Sequence, residues 1–322
     1  MSGTTDSQTT RAELTVTGRS GVGDTAFRIL TLLAGIVILG ILVVIAGELL
    51  VESLPAIGHE GVSFLWKTQW STHHNNYGAL PFISGTVMTS ALALLIGGPV
   101  SIGIAVLLTQ YLSGWIREVF VFLVELVAGI PSVIYGLWGI LFFSSIVSSY
   151  VTPAIRATPL TVLPFFGTVG ASSNMLLASL VLALMITPII SSFSRESLVR
   201  VPQDQRDAGV ALGLTRWEVI TGVVLPYARA GVVSAVILGL GRALGETMAV
   251  TMLIGNTQQV TVNYLDPAST MSSLLANSFN QTSNPLANSS LFEVGLVLFL
   301  VAFVVNSIAR AVIGFISHEG SQ

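Results

Sequence analysis

Six long apolar runs constrain this chain more than any other feature of its sequence. A helix that crosses the hydrocarbon core of a bilayer needs about 20 mostly apolar residues, and each run reaches that length. Hydrophobic residues make up 52% of the 322 residues and charged residues only 9%, whereas about a quarter of a soluble domain is charged. The runs cover residues 27–51, 82–110, 119–145, 174–193, 227–254 and 291–316. The sequence therefore predicts an all-α polytopic membrane protein with six transmembrane helices.

The distribution of basic residues predicts the orientation, because cytoplasmic loops are enriched in Lys and Arg. If the N-terminus is cytoplasmic, the outer loops at 52–81, 146–173 and 255–290 contain only Lys67 and Arg156. The inner segments then hold Arg11, Arg19, Arg28, Arg117, Arg195, Arg200, Arg206, Arg216, Arg229 and Arg310. We therefore expect a multi-pass protein of the cell membrane with both termini in the cytoplasm.

The ends of the chain are predicted to be short tails around one transmembrane domain. Residues 1–26 are rich in Ser, Thr and Gly and predict a disordered cytoplasmic tail, with the transmembrane domain at 27–316 and a second cytoplasmic tail at 317–322. The absence of cysteine excludes disulfides and thiolate metal sites. His73 and His74 have no nearby Cys, Asp or Glu, which is more typical of an exposed loop than of a metal site. We expect no metal, no cofactor on this chain and no nucleic acid partner.

An ATPase site of the common kind is also excluded. A Walker A loop requires the pattern G-x-x-x-x-G-K-[ST], whose lysine reaches the phosphates. The only lysine is Lys67, in "WKTQ", and it lacks the glycines. The chain is therefore not expected to be an enzyme, and a permease with separate ATPase subunits, a secondary transporter or a channel would all fit this absence.

The predicted inner loop at 194–226 is longer than a membrane connection needs. Its apolar residues recur at helical spacing on both sides of Gly213, which predicts two short helices hinged at this glycine. Pro226 falls where the fifth span begins, a position at which its missing N–H costs nothing. A surface helix pair packed on lipid headgroups would explain the pattern as well as a docking element would.

The stretch "DAGVALGLTRWEVITGVVLP" in this loop resembles the EAA motif of ABC importer permeases. The matching residues are Asp207, Ala208, Gly209, Gly213, Val223, Leu225 and Pro226. The resemblance implies a coupling helix that seats in a groove of an ATPase subunit. Asp207 replaces the usual Glu and Gly209 the second Ala, and glycine weakens a helix by up to about 1 kcal/mol relative to alanine.

Three further stretches extend the resemblance from the first span to the sixth: "YGALPFISGTVMTSALAL", "ELVAGIPSVIYGLWGI" and "LGLGRALGETMAVTMLIGN". Together they are similar to the C-type permease subunits of phosphate-specific ABC transporters. The resemblance implies a type I ABC importer permease fold and a role in phosphate import. It also implies an A-type permease as the other half of a heterodimer, two ATPase subunits that bind ATP and Mg²⁺, and an extracytoplasmic phosphate-binding protein. Inorganic phosphate and membrane lipids would be the small-molecule partners.

The segment "GLGRALGETMAV" places Arg242 and Glu246 inside the fifth apolar run. A central arginine costs about 2.5–3.5 kcal/mol on insertion scales, so it should face a partner or a watery cavity. In a continuous helix the two residues share one face, although Arg before Glu is the less favourable order for stabilising the helix. An internal ion pair that locks the helix to a neighbour is one explanation.

The other explanation is a substrate path lined by Arg242, Glu246 and Thr247. The planar guanidinium matches two oxyanion oxygens. A carboxylate can accept a hydrogen bond from hydrogen phosphate but repels fully deprotonated sulfate, and the family resemblance points the same way. A permease for another oxyanion, such as molybdate or sulfate, remains an alternative, as does a non-transporting membrane sensor or scaffold.

Small residues and a proline predict local packing around these features. Gly239, Gly241 and Gly245 form a small-residue stripe that favours close contact with another helix. Pro131 is predicted to bend the third span. Glu125 in the same run is expected to reach water or pair with a basic residue.

Overall fold

The computed structural model describes residues 22–159, 165–167, 171–279 and 284–319. The regular structure of these residues is helical, apart from two isolated β-bridges, Ser71 with Asn76 and Gly255 with Ala268. Six of the described helices are long and apolar enough to cross a membrane. The predicted fold class and number of spans are confirmed.

Ten α-helices follow one another along the described chain, a 3-10 helix at Gly61–Leu65 follows the first, and three of the α-helices contain π turns. They are α1 Val22–Glu60, α2 Leu80–Tyr111, α3 Gly114–Ala128, α4 Ser132–Arg156, α5 Met175–Val199, α6 Gln203–Ala211, α7 Arg216–Gly245, α8 Met248–Leu253, α9 Met271–Ser278 and α10 Pro285–Glu319. The membrane-spanning helices are α1, α2, α4, α5, α7 and α10.

The chain divides into a unit ending at Glu48 and a unit beginning at Leu49. The described part of the first unit is the beginning of α1, where every side chain from residue 23 to 48 is exposed except the half-buried Ala46. This helix starts at Val22, within the segment 1–26 that was predicted as a tail, and residues 1–21 lie outside the described residues. At the other end, α10 reaches Glu319, and residues 320–322 of the predicted tail are not described.

The core of the second unit forms where α5 packs between α2 and α7. Leu177, Ile186 and Ile190 of α5 are fully buried. The helix begins at a defined residue, because the side chain of Asn174 accepts a hydrogen bond of 2.8 Å from the N–H of Leu177. A Cβ on Gly239 of α7 would lie 2.5 Å from Ile190, so the predicted close helix contact is present at this glycine.

The third apolar run, 119–145, is not one bent helix as predicted. Helix α3 ends at Ala128, and Pro131 has an extended backbone (φ −58°, ψ 140°) from which α4 begins at Ser132. Proline disfavours a helical conformation in the preceding residue and has no N–H to donate. Pro131 therefore separates two helices. The membrane span is the second of them, Ser132–Arg156, so residues 146–156 of the predicted outer loop belong to the span.

The predicted outer loop 255–290 is described at 255–279 and 284–290, and its first part packs onto α2. Its residues Leu265, Met271 and Leu274 are buried. The N–H of Met271 donates to the hydroxyl of Thr86 at 3.0 Å, and a capping box between Thr270 and Ser273 starts α9. The loop is therefore part of the folded core rather than a solvated connector.

Gly85 of α2 is where this loop comes nearest to a membrane-spanning helix. A Cβ at this position would lie 2.1 Å from the carbonyl oxygen of Ser269, a backbone atom that cannot rotate away. We expect Gly85→Ala to lower the free energy of unfolding by about 1–3 kcal/mol, the usual cost of overpacking, as measured by thermal melting in detergent. Gly103→Ala on the same helix is the control, because nothing lies within 4 Å of its Cβ. Equal melting temperatures of the two variants would show that the loop is not packed in this way.

A buried carboxylate organises the segment that follows α1. The side chain of Glu60 accepts a hydrogen bond of 3.0 Å from the N–H of Tyr77 and forms an ion pair with Lys67. Tyr77 is fully buried, and its burial together with the Glu60 charge raises the pKa of its hydroxyl. Lys67 thus has a structural partner that the sequence did not predict.

Candidate functional site

The fifth apolar run is broken at Glu246. Helix α7 ends at Gly245, Glu246 has an extended backbone (φ −70°, ψ 124°), and α8 restarts at Met248. The hydroxyl of Ser272 donates to the carbonyl oxygen of Glu246 at 2.9 Å, which satisfies a group that the break removes from the helix. The prediction of one continuous span over 227–254 is therefore wrong. Interrupted helices in membranes occur where the backbone is buried in protein or lines a watery cavity.

Arg242 lies in the last turn of α7, one turn before the break. Its side chain is exposed on the surface of this chain. A positive charge in the last turn interacts favourably with the helix dipole. Arg242 was expected near the middle of a helix, but it stands at a helix end.

Glu246 is buried, with 9% of its surface exposed. Its Oε1 accepts a hydrogen bond of 3.5 Å from the N–H of Ala249, and no hydrogen bond among the described residues uses its Oε2. Within the described part of the chain it forms no ion pair with Arg242. The shared helix face predicted for the two residues is wrong, because Glu246 has left the helix.

Thr247 is half-buried directly after the break, where its hydroxyl donates to the carbonyl oxygen of Gly245 at 3.3 Å. The hydroxyl of Thr251 donates to the carbonyl oxygen of Thr247 at 2.7 Å. A Cβ on Gly241 would be in ordinary contact with Asn306, whereas one on Gly245 would meet nothing within 4 Å. The predicted packing role therefore does not extend to Gly245, which instead ends the helix.

The buried hydroxyl of Ser272 supports the break, and the sequence did not predict it. Ser272 belongs to a group of buried hydroxyl residues contributed by α2, by the loop before α9 and by the first turn of α9. Its members are Thr86, Thr89, Ser90, Ser269, Thr270, Ser272 and Ser273, each at most 4% exposed. The Ser and Thr residues of "STMSS", at capping-box spacing, were the available signal for the start of a helix.

The predicted coupling segment forms a second candidate site. Helix α6 covers Gln203–Ala211, and Gly213 follows with a positive φ of 82° that favours glycine. A capping box between Thr215 and Glu218 then starts α7 at Arg216. The break at Gly213 is as predicted.

The second helix of this segment is not short, as it was predicted to be, but continues into the membrane-spanning part of α7. Pro226 therefore lies inside a long helix instead of at its start. A π turn at Ile220–Val224 directly precedes the proline. The wider π turn leaves room for the proline ring against the preceding turn of the helix. It also accommodates the backbone hydrogen bond that is missing because proline has no N–H.

The motif residues divide between an exposed and a packed group. Asp207 and Ala208 are exposed on α6, and the carboxylate of Asp207 accepts a hydrogen bond of 3.0 Å from the Gln203 amide. Gly209 is buried, and a Cβ there would lie 3.1 Å from Val219 and 3.6 Å from Val223. The replacement of alanine by glycine thus fits the close contact of α6 with α7. Of the remaining motif residues, Leu225 is half-buried and Pro226 is exposed.

Apolar side chains around the turn form an exposed surface, which we call the coupling surface. It comprises Val210, Leu212, Leu214 and Trp217, of which Leu212 is 82% exposed and Trp217 63%. Patches of this kind mark interaction sites in folded proteins.

Two arginines fix the coupling segment to the membrane-spanning helices. Arg206 donates to the carbonyl oxygen of Leu198 at 2.8 Å and to the Gln110 side chain at 3.3 Å. Arg216 donates to the carbonyl oxygen of Gln110, and its guanidinium lies 4.8 Å from the ring centroid of Tyr111. These contacts join the segment to the ends of α2 and α5.

Six spans, an interrupted fifth span and a helical segment with an exposed apolar surface are typical of a membrane transport permease. The model of the family "Binding-protein-dependent transport system inner membrane component" matches residues 97–317. A bacterial alginate ABC transporter, solved with an alginate-bound periplasmic protein, has a chain of the same fold. The TM-score is 0.59 at 16% identity, with 88% of this chain and 93% of that chain covered.

Similarity to curated relatives identifies the group within this family. It is 40% identical to the phosphate transport system permease protein PstC of Xylella fastidiosa (strain Temecula1), over 94% of each chain. It is 35% identical to PstC 1 of Mycobacterium tuberculosis, over 94% of this chain and 96% of the relative. The chain belongs to the family of binding-protein-dependent ABC importer permeases, within its PstC group, and is a multi-pass membrane subunit of a transport complex.

Proposed function

We propose that this chain is the permease subunit that forms half of the phosphate path in an ATP-driven importer. The PstC relatives support phosphate as the substrate. The observation that carries the proposal is the exposed guanidinium of Arg242 beside the break at Glu246. A charged side chain within an apolar span indicates a functional site, because its insertion into the bilayer costs free energy.

Arg242 is the transient anchor for the anion. Its planar fork can donate two parallel hydrogen bonds to phosphate oxygens, and it stays charged at every physiological pH. Its exposure on this chain leaves the fork free to meet an anion between subunits. Glu246, whose Oε2 is unused, accepts a hydrogen bond from the hydroxyl of hydrogen phosphate and selects against sulfate, which has no such hydroxyl. Thr247 borders the same break and provides a hydroxyl to the path.

The remaining half of the path comes from a second, A-type permease. Arg242 lies on the surface of this chain, so a second subunit is needed to enclose an anion there. Two ATPase subunits, which bind ATP and Mg²⁺, dock on the coupling surface and its counterpart in the second permease. A phosphate-binding protein delivers substrate at the outer face. Both termini of this chain then lie in the cytoplasm, as the arginine distribution indicates.

Helix α7 couples ATP hydrolysis to the path. It runs from Arg216, next to Trp217 of the coupling surface, to Gly245 without a break. At 1.5 Å per residue, Arg216 and Arg242 are separated by roughly 40 Å along one helix. Closure of the ATPase pair moves the segment around Gly213, and the continuous helix transmits this displacement to the Arg242 end, which produces alternating access.

The test is ATP-dependent uptake of radiolabelled phosphate by the purified complex in liposomes. We expect uptake that requires ATP inside and the binding protein outside, and that excess unlabelled sulfate or molybdate does not reduce. Sulfate or molybdate that competes as well as phosphate would assign the chain to another oxyanion. A purified complex without an ATPase partner would favour a sensor or scaffold.

The role of Glu246 can be tested separately by Glu246→Gln. The amide still accepts a hydrogen bond but no longer repels sulfate. A hydrogen bond to a charged group contributes about 1.5–3 kcal/mol, so we expect the ratio of phosphate to sulfate uptake to fall about tenfold. Glu293→Gln, which changes another buried carboxylate in α10, should leave the ratio unchanged. An unchanged ratio in Glu246→Gln would remove Glu246 from the selectivity mechanism.

A further inference from the structure

A basic pocket of about 490 Å³ lies between α3 and α5. We define it by Arg117 of α3 together with Ser192, Phe193, Arg195, Glu196 and Arg200 of α5. Its lining combines three arginines with Glu196, and Glu125 pairs with Arg195 from outside the lining, so the excess is one positive charge. Arginines held at the surface of a membrane domain attract anionic groups.

The three arginines differ in how far their charge is already neutralised. Arg195 forms an ion pair of 3.3 Å with Glu125 across the two helices, so the predicted basic partner of Glu125 is present. Arg200 pairs with Glu196 on α5, where both side chains are more than half exposed. Arg117 is half-buried and forms no ion pair within the described part of the chain. Its guanidinium is the group that remains available to a ligand.

A separate apolar groove of about 510 Å³ is lined by α3 and α5, together with Ile104 of α2 and Tyr135 and Trp138 of α4. Its lining includes Phe120, Leu123 and Val127 of α3 and Leu184 and Pro188 of α5. On α3, Arg117 lies one turn from Phe120. On α5, Ser192 lies one turn from Pro188, so the charged and apolar parts are adjacent on both helices.

A ligand that fills both parts must be amphipathic, with an anionic head next to a long apolar chain. Each cavity is within the range of about 300–1,000 Å³ typical of ligand sites. Inorganic phosphate would use only the arginines and leave the groove empty. A zwitterionic lipid would gain less from the excess of arginine.

We propose that the basic pocket and the apolar groove bind one anionic phospholipid, with the headgroup phosphate at Arg117 and an acyl chain between α3 and α5. The lipid would hold α3 against α5 beside the break at Pro131. The headgroup end of this site lies on α3 and α5, whereas Arg242 lies at the end of α7, and the site does not depend on which anion the complex transports.

The first test is retention of phosphatidylglycerol by the purified complex in native mass spectrometry, with phosphatidylcholine as the zwitterionic comparison. One basic residue near an anionic lipid contributes about 1 kcal/mol, or roughly fivefold in affinity. We therefore expect Arg117→Gln to reduce retained phosphatidylglycerol about fivefold and to leave phosphatidylcholine unchanged. Arg310→Gln is the control, because it removes an exposed arginine of α10 that does not line the pocket. Equal retention by native and Arg117→Gln complexes, or equal losses in both variants, would overturn the proposal.

Two further measurements distinguish the lipid from other occupants. Leu123→Trp fills the groove and should eliminate retention of phosphatidylglycerol while the complex stays assembled. If it dissociates the complex, a helix of a partner subunit occupies the groove and the proposal fails. Millimolar inorganic phosphate should not displace the lipid, and displacement would mean that the arginines form an anion site without use of the groove.

Discussion

Replacement of Arg242 by alanine is expected to reduce ATP-dependent phosphate uptake by about 10- to 100-fold. A hydrogen bond to a charged group contributes about 1.5–3 kcal/mol, and each 1.4 kcal/mol or so corresponds to tenfold in rate. The side chain is exposed at the last turn of α7, so its loss opens no cavity in the core of this chain. The measurement is initial uptake by liposomes that contain equal amounts of assembled complex.

Two control variants test whether the loss of uptake is specific to the guanidinium of Arg242. Arg242→Lys keeps the charge but lacks the planar fork, so it should retain part of the uptake. Arg310→Ala removes an exposed arginine from α10 and should transport normally. Normal uptake by an intact Arg242→Ala complex would make Arg242 a packing or assembly residue.

The second large effect is expected in the coupling segment, from Asp207→Lys. Asp207 is exposed on α6, where its carboxylate meets only Gln203 among the hydrogen-bond partners in the described residues. Loss of one member of a charged contact in an interface costs about 2–5 kcal/mol. We therefore expect uptake to fall at least about tenfold while ATP hydrolysis continues without being coupled to transport.

Uptake and ATP hydrolysis should be measured on the same Asp207→Lys liposomes. Asp207→Glu is the matched control, because it restores the residue usual in the EAA motif and should keep hydrolysis coupled. Unchanged uptake in Asp207→Lys would place the contact with the ATPase elsewhere. A parallel loss of hydrolysis and uptake would point to lost docking instead of lost coupling.

Part of the coupling segment could be predicted from the sequence, because its motif is local. Gly213 was predicted as the hinge, and its positive φ explains the choice of glycine. The same reasoning placed Pro226 at a helix start, because proline is usual there. It did not foresee the π turn at Ile220–Val224, which lets α7 continue through the proline.

The site around Arg242 contains a feature that the sequence alone did not predict. The sequence identified Arg242, Glu246 and Thr247 as unusual residues in an apolar run. The sequence did not predict a helix end between Arg242 and Glu246, because apolar periodicity continues across Gly245 and predicts one helix over 227–254. The break is held by the hydroxyl of Ser272, which follows 26 residues later and reaches Glu246 only in the folded chain.

The sequence by itself determined the class of protein and the number of spans, because apolar length is a local property that the bilayer alone selects. It also located the coupling segment, since motif spacing is local. The break in the third run has a local cause in Pro131, where the sequence predicted a bend. Only the tertiary structure decided where the fifth run breaks, that Arg242 is exposed beside this break, and that residues 255–279 pack onto α2. The physical reason is that buried backbone groups need partners, and the partner of the Glu246 carbonyl, Ser272, lies 26 residues away in the chain.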